Sequence, residues 1–112
     1  MVNESKLDAV FGALADPTRR RIIERLARKP LTIGEIAAEF PISQPAISKH
    51  VRVLEDSGLI QREISGRVHV LNLTPDAMES AQAWIEKQRR YWSGVLDRLD
   101  AILRKPDQRK KK

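Results

Sequence analysis

Apolar positions recur at three- and four-residue spacing through most of this chain, and only the stretch 59–73 abandons that period for β-branched runs. The 3.6-residue period marks the buried stripe of a helix, and short Ile/Val/Leu runs broken by a turn signal mark paired strands. Leu7, Val10, Phe11 and Leu14 define a first amphipathic helix. Asp16 followed by Pro17 is a cap-and-first-turn pair that opens a second, with Ile22, Ile23, Leu26 and Ala27 on its buried side. Thr32 caps a third helix over residues 33–40, with Glu35 at the capping-box position and Ile33, Ile36, Ala37 and Phe40 as its stripe. After a short break from Phe40 to Ser43, a fourth helix spans 43–57. Ser43 is its N-cap, Pro45 lies in its first turn, and Gly58 is placed for a left-handed stop. Leu59 to Ile64 and Arg67 to Leu73 then read as a hairpin turning at Ser65-Gly66. Thr74-Pro75 starts a last helix, 75–105, roughly 45 Å long at the usual rise per residue.

The fourth helix carries the candidate chemistry. Ile47, Val51 and Leu54 repeat at i, i+4 and i+7, so Pro45, Ser48, Lys49, Arg52 and Asp56 face away from the core, with Gln44 near the edge and His50 on the other flank. A small, polar, mildly basic face can enter a DNA major groove, where Gln and Lys read base edges. The same face also describes an ordinary amphipathic helix with a solvated side. The third helix and the short turn before the fourth make a helix-turn-helix, whose second helix is the reader. The hairpin at 59–73, with Arg62 and Arg67 flanking its turn, suits the DNA backbone or an adjacent minor groove. Alone, it equally suits a small hairpin that closes the core. The last helix is too long for a compact body of this size to cover. Met78, Ala81, Trp84, Ile85, Trp92, Val95, Leu96, Leu99, Ile102 and Leu103 keep helical spacing along it, interrupted by Gln88 and Gly94, and such an excess is usually buried against a partner.

These residues together resemble a family. The runs from Ala15 to Leu26, Leu31 to Ile60 and Gly66 to Pro75 are similar to the ArsR-type winged-helix transcriptional regulators, and the resemblance covers about residues 5 to 104. It implies a mainly α fold with a small β-hairpin, a dimeric winged helix-turn-helix of order α-α-α-α-β-β-α. It places Gln44, Ser48, Lys49 and His50 on the family's base- and phosphate-contacting positions and Arg67 on its wing tip. The full expected DNA set is Ser43, Gln44, Ser48, Lys49, His50, Arg52, Arg62 and Arg67. The family pairs through its first and last helices, which implies an interface of Leu7, Phe11, Trp84, Gln88, Tyr91, Trp92, Val95 and Leu99. A two-fold dimer with readers about 34 Å apart would select an inverted repeat in double-stranded DNA. Two departures stand out. Pro41 stands where the family often has glycine in the turn, and His69-Val70 stand where aromatic residues are common in the second wing strand.

Charge changes this picture only through its distribution. The chain carries 21 basic and 15 acidic residues, net +6, but Arg104 to Lys112 holds six of the basic and one of the acidic ones. The remainder has 15 against 14, a net of +1. Arg19, Arg20, Arg21, Arg25, Arg28 and Lys29 cluster on and after the second helix, and together with Lys49, Arg62 and Arg67 they are expected to supply phosphate contacts. The segment 106–112 is expected to be a disordered, basic, solvated tail.

There is no cysteine, which removes thiolate metal sites and disulfide switching. Ala37 and Ala38 stand where thiolate-using relatives carry their pair, and the two histidines, His50 and His69, leave the last helix without an imidazole. No metal, cofactor or catalytic residue is expected, and any small-molecule effector is unspecified. Ser43, Ser48 and His50 form no catalytic geometry, because Ser48 and His50 point about 160° apart on a helix, and no phosphate-binding or nucleophile motif occurs. The expectation is a cytoplasmic DNA-binding repressor with no membrane span. The rivals are a winged helix that binds proteins, or a derepressor with an unrecognised effector site.

Overall fold

The computed structural model describes the backbone of residues 4–110 and the side chains of residues 4–104. The elements are α1 (Glu4–Leu14), α2 (Pro17–Leu26), β1 (Leu31–Thr32), α3 (Ile33–Glu39), α4 (Gln44–Asp56), β2 (Ile60–Ser65), β3 (Val68–Leu73) and α5 (Pro75–Lys110). The chain divides into two units, Met1–Ala81 and Gln82–Lys112.

In the first unit the helix ends are set by local chemistry. Asp16 caps α2, accepting from the Arg19 N–H, with Pro17 in the first turn. Thr32 and Glu35 form a reciprocal capping box on α3: Thr32 Oγ1 accepts from Glu35 N at 3.0 Å and Glu35 Oε1 from Thr32 N at 2.8 Å. Ser43 Oγ accepts from Ala46 N at 3.3 Å to start α4. At its other end Gly58 adopts φ 83°, Gly58 N donates to Glu55 O and Leu59 N to Leu54 O. This pair of bonds is a Schellman stop, and only glycine enters that backbone region without strain. Between α3 and α4 no left-handed residue is used. Pro41 confines Phe40 to an extended conformation, φ −118° and ψ 139°, and that ends α3.

The core joins every element of this unit. Ile22, Ile36, Ile47, Val51, Leu54 and Leu71 are fully buried, with Leu59 and Ile60 nearly so. Phe11, Leu14, Ile33, Ala37, Phe40 and Met78 pack partly buried against them. Ala27, expected inside, is exposed because α2 ends at Leu26 and Ala27 turns away as its C-cap. Leu7, expected at an interface, belongs to the chain's own core at 7% exposure.

The sheet differs from the expected hairpin in two ways. It has three strands in the order β1-β3-β2, with Leu31 opposite Leu71 and Thr32 opposite Val70. Two residues are too few to show a strand period, so β1 is invisible to pattern reading. The tip also lies one residue later than Ser65-Gly66. Ser65 pairs with Val68, leaving Gly66 and Arg67 as the two-residue turn. Gly66 has φ 62° and Arg67 does not take positive φ, as a turn with glycine in the first central position requires.

The second unit is the remainder of α5. Its helix extends through Lys110, past the expected end at Lys105 and through Pro106. Lys111 and Lys112 lie outside the described residues, as do the side chains of 105–110, and with them most of the expected basic tail. Glu86–Arg89 and Asp100–Arg104 pairs line its polar side. Tyr91 and Trp92 meet edge to face at 5.8 Å between ring centroids. Trp84, Ile85, Tyr91, Trp92, Leu96, Leu99, Ile102 and Leu103 are all exposed, while Gln88 and Val95 are intermediate.

Candidate nucleic-acid interface

Burial of Ile47, Val51 and Leu54 sets the rotation of α4 and therefore what it shows to solvent. Ser43, Gln44, Pro45, Ser48, Lys49 and Arg52 are exposed along the opposite side. Gln44, in the first turn of α4, and Arg67, at the hairpin tip, line one cleft of about 440 Å³ together with Thr32, Ile33, Gly34, Arg62, Val68 and His69. The tight turn at Gly66 places Arg67 at the extreme of the hairpin, exposed. Among the described residues, Lys49, Arg52 and Arg67 have no protein partner, so their charge is available to a ligand.

Other expected contacts are already engaged within the protein. His50 is half-buried against the start of α2, its Nδ1 at 3.3 Å from Arg19 Nη1 and 3.9 Å from Asp16 Oδ2. The ring thus lies between a guanidinium and a carboxylate, within reach of both. Arg62 binds Glu55 through two hydrogen bonds and His69 through a third. Arg25 pairs with Glu39 at 2.6 Å.

Arg19 and Arg20 serve the end of α1. Arg19 Nε donates to Ala13 O at 2.7 Å and Nη2 to Gly12 O at 3.2 Å, while Arg20 Nη1 donates to Leu14 O at 2.7 Å. Ala13 and Leu14 offer carbonyls from the last turn of α1, Gly12 O also accepts from Ala15 N, and cations there complement the helix dipole. Two of the arginines expected on phosphate are thus helix-end ligands. Glu55, Asp16 and His69 escape residue-by-residue reading as site components, since their partners are set by packing and strand register and not by any spacing motif.

The Asp16 carboxyl is held below its ordinary value of 3.8, first by the backbone N–H of Arg19, with His50 and the Arg19 charge adding to the effect against a cost of burial. Glu35 is likewise lowered by the Thr32 backbone N–H and hydroxyl. Among the described residues no group of three His, Cys, Asp or Glu side chains is gathered to hold a metal ion. Nor is any described helix long and apolar enough to cross a membrane.

A family described as a helix-turn-helix domain matches residues 14–63. The chain is 38% identical over 89 residues to the HTH-type transcriptional regulator Rv2034 of Mycobacterium tuberculosis, covering 80% of each. It is 33% identical over 79 residues to the transcriptional repressor SdpR of Bacillus subtilis, covering 70% of this chain and 88% of that one. A crystal structure of an ArsR family transcriptional regulator matches with a TM-score of 0.77 at 37% identity, covering 82% of this chain and 95% of the other.

Acid unfolding separates the two roles of Asp16. Its lowered carboxyl contributes stability that is complete above the ordinary value of 3.8 and is lost as pH falls through the lower folded-state value. Asp16→Asn keeps the cap acceptor but loses the charge, so stability at neutral pH falls by the amount by which the acid-side loss shrinks; Asp16→Ala also loses the acceptor and costs about 1 kcal/mol at neutral pH. Urea unfolding across the acid range reads both. An unchanged acid limb in Asp16→Asn assigns that titration to another carboxyl.

Proposed function

The chain belongs to the ArsR-type winged helix-turn-helix transcriptional regulators, and we propose that it is a sequence-specific DNA-binding repressor that occupies an inverted-repeat operator as a homodimer. The observation that carries this reading is the shared cleft of Gln44 and Arg67, flanked by exposed Ser48, Lys49 and Arg52 on the reader helix α4. Gln44 and Ser48, with Lys49, supply base choice in the major groove. Lys49, Arg52 and Arg67 supply phosphate contacts, which fix register and create salt dependence. His50 and Arg62 support the reader from within, and Ser43 acts through its cap.

The homodimer reading rests on the apolar side of α5, where Trp84, Trp92 and Leu99 are about half exposed and Tyr91 more so. Aromatic and aliphatic side chains at this density favour burial against a second copy. Of the expected interface, Phe11 and the α5 residues remain in the proposal, with Val95 and Gln88 at intermediate exposure; Leu7 is occupied inside. Repression follows from occupancy of a promoter by a small dimer, and the naming of SdpR as a repressor supports it. The protein acts without enzymatic chemistry and in the cytoplasm.

Selection of bound fragments from random duplex DNA should return an inverted repeat. Gln44→Ala should relax preference by about 1–3 kcal/mol at one base pair per half-site. Equal weakening on operator and random DNA would remove Gln44 from base reading, and enrichment of no sequence would favour a protein-binding winged helix. Arg67→Ala should weaken binding to all sequences and flatten the salt slope by about one unit per protomer. An unchanged slope takes Arg67 off the phosphate. Trp92→Glu should split the dimer, and sedimentation showing an intact dimer would refute the α5 interface.

A further inference from the structure

One guanidinium ties the reader helix to both strands of the wing. Arg62 lies on β2 opposite Leu71, on the sheet face that turns toward α4. Its Nε donates to Glu55 Oε2 at 3.0 Å and its Nη2 to Glu55 Oε1 at 2.7 Å. Its Nη1 lies 3.0 Å from His69 Nδ1, which must accept, since a guanidinium has no acceptor. Glu55 belongs to the last turn of α4, and His69 stands two residues beyond the tip residue Arg67. The side chains of Arg62 and Glu55 are 24% and 27% exposed, so water screens this pair less than a surface pair. Two parallel N–H···O bonds also fix direction as well as distance, which a single contact does not.

We propose that Arg62 is a positioning residue, which with Glu55 and His69 clamps the wing against the reader helix so that Arg67 and Gln44 open onto the same cleft. The proposal rests on the DNA-binding reading above and deepens it. A direct phosphate contact by Arg62 is the competing role, and charge argues against it. Arg62 also lines the cleft, but the Glu55 carboxylate takes two of its N–H donors and neutralises the guanidinium. Between α4 and β2 the chain passes only through the Gly58 stop, whose φ of 83° sets the departure direction, and that backbone hinge is the one the clamp spans. His69 completes the restraint. It stands opposite Ile64, diagonal to Arg62 across the strand pair, and resists twisting of the hairpin near its tip.

The two roles predict opposite signs for one substitution. If Arg62 served phosphate directly, Glu55→Gln would free it and remove a repelling charge, tightening binding and steepening the salt slope. If the clamp operates, Glu55→Gln weakens operator binding by about threefold to tenfold, and Arg62→Lys does the same because an ammonium cannot make the bidentate pair. The double variant is no weaker than either single one, since both remove one device. Arg67→Ala then loses most of its effect in the Glu55→Gln background, because the tip is no longer held on the backbone.

The measurement is operator binding across a salt series for the full chain and these variants, with hydroxyl-radical footprints and far-UV circular dichroism to confirm folding. Clamp variants should keep protection at the reader's bases and lose it at the wing's flank. Tighter binding by Glu55→Gln, additive losses in the double variant, or an unchanged wing footprint each overturn the clamp. A wild-type chain that selects no sequence removes the DNA-binding reading, a result distinct from a wild type that binds its operator while the clamp variants behave independently.

Discussion

The rotation of α4 about its own axis is the constraint on which the interface depends. Ile47, Val51 and Leu54 have no solvent exposure, and together they lock the helix into the centre of the core formed by α2, α3 and the sheet. A shift of one residue would turn the helix by about 100° and carry Ser48 and Arg52 inward, where an unpaired guanidinium costs several kcal/mol. The apolar side of the reader is therefore what specifies its polar side. Capping by Ser43 at one end and the Gly58 stop at the other fixes the length over which that holds.

Around this helix, acids sort the arginines into two kinds. Glu55 takes Arg62 and Glu39 takes Arg25, while the carbonyls ending α1 take Arg19 and Arg20. Lys49, Arg52 and Arg67 remain without protein partners among the described residues. The unengaged positive surface is smaller than a count of basic residues suggests, and it includes these three side chains on α4 and the hairpin tip. Three of the six basic side chains on and after the second helix, Arg19, Arg20 and Arg25, work on the fold.

The parts of this arrangement that local chemistry dictates were readable in order along the chain. Asp16-Pro17, Thr32 with Glu35, Ser43 and Gly58 each act within a few residues, so their outcome needs no tertiary knowledge. The exposed reader set of Gln44, Ser48, Lys49 and Arg52 follows from helical period alone. What escaped reading depends on partners distant in sequence. β1 exists because Leu31 and Thr32 find Leu71 and Val70, and nothing in two residues announces that. The hairpin tip moved by one residue because strand register, not the first serine-glycine pair, chose the turn. The partners of Arg62 and His50 were hidden because sequence shows their charge and face but not Glu55 or Arg19 across the gap. The burial of Leu7 within its own chain was hidden for the same reason.

The two-residue turn at Gly66 and Arg67 leaves the wing no slack, and this bears on how such a protein changes over generations. Side chains alternate faces along each strand, so a single inserted residue between Ile60 and Ser65 would send the Arg62 position to the opposite face and turn the tip over. Only paired additions, matched on both strands, preserve facing, and each pair advances the tip by about 7 Å along the strand direction. Wing reach in this architecture is therefore heritable in steps rather than continuously, and one step spans about two base pairs of duplex.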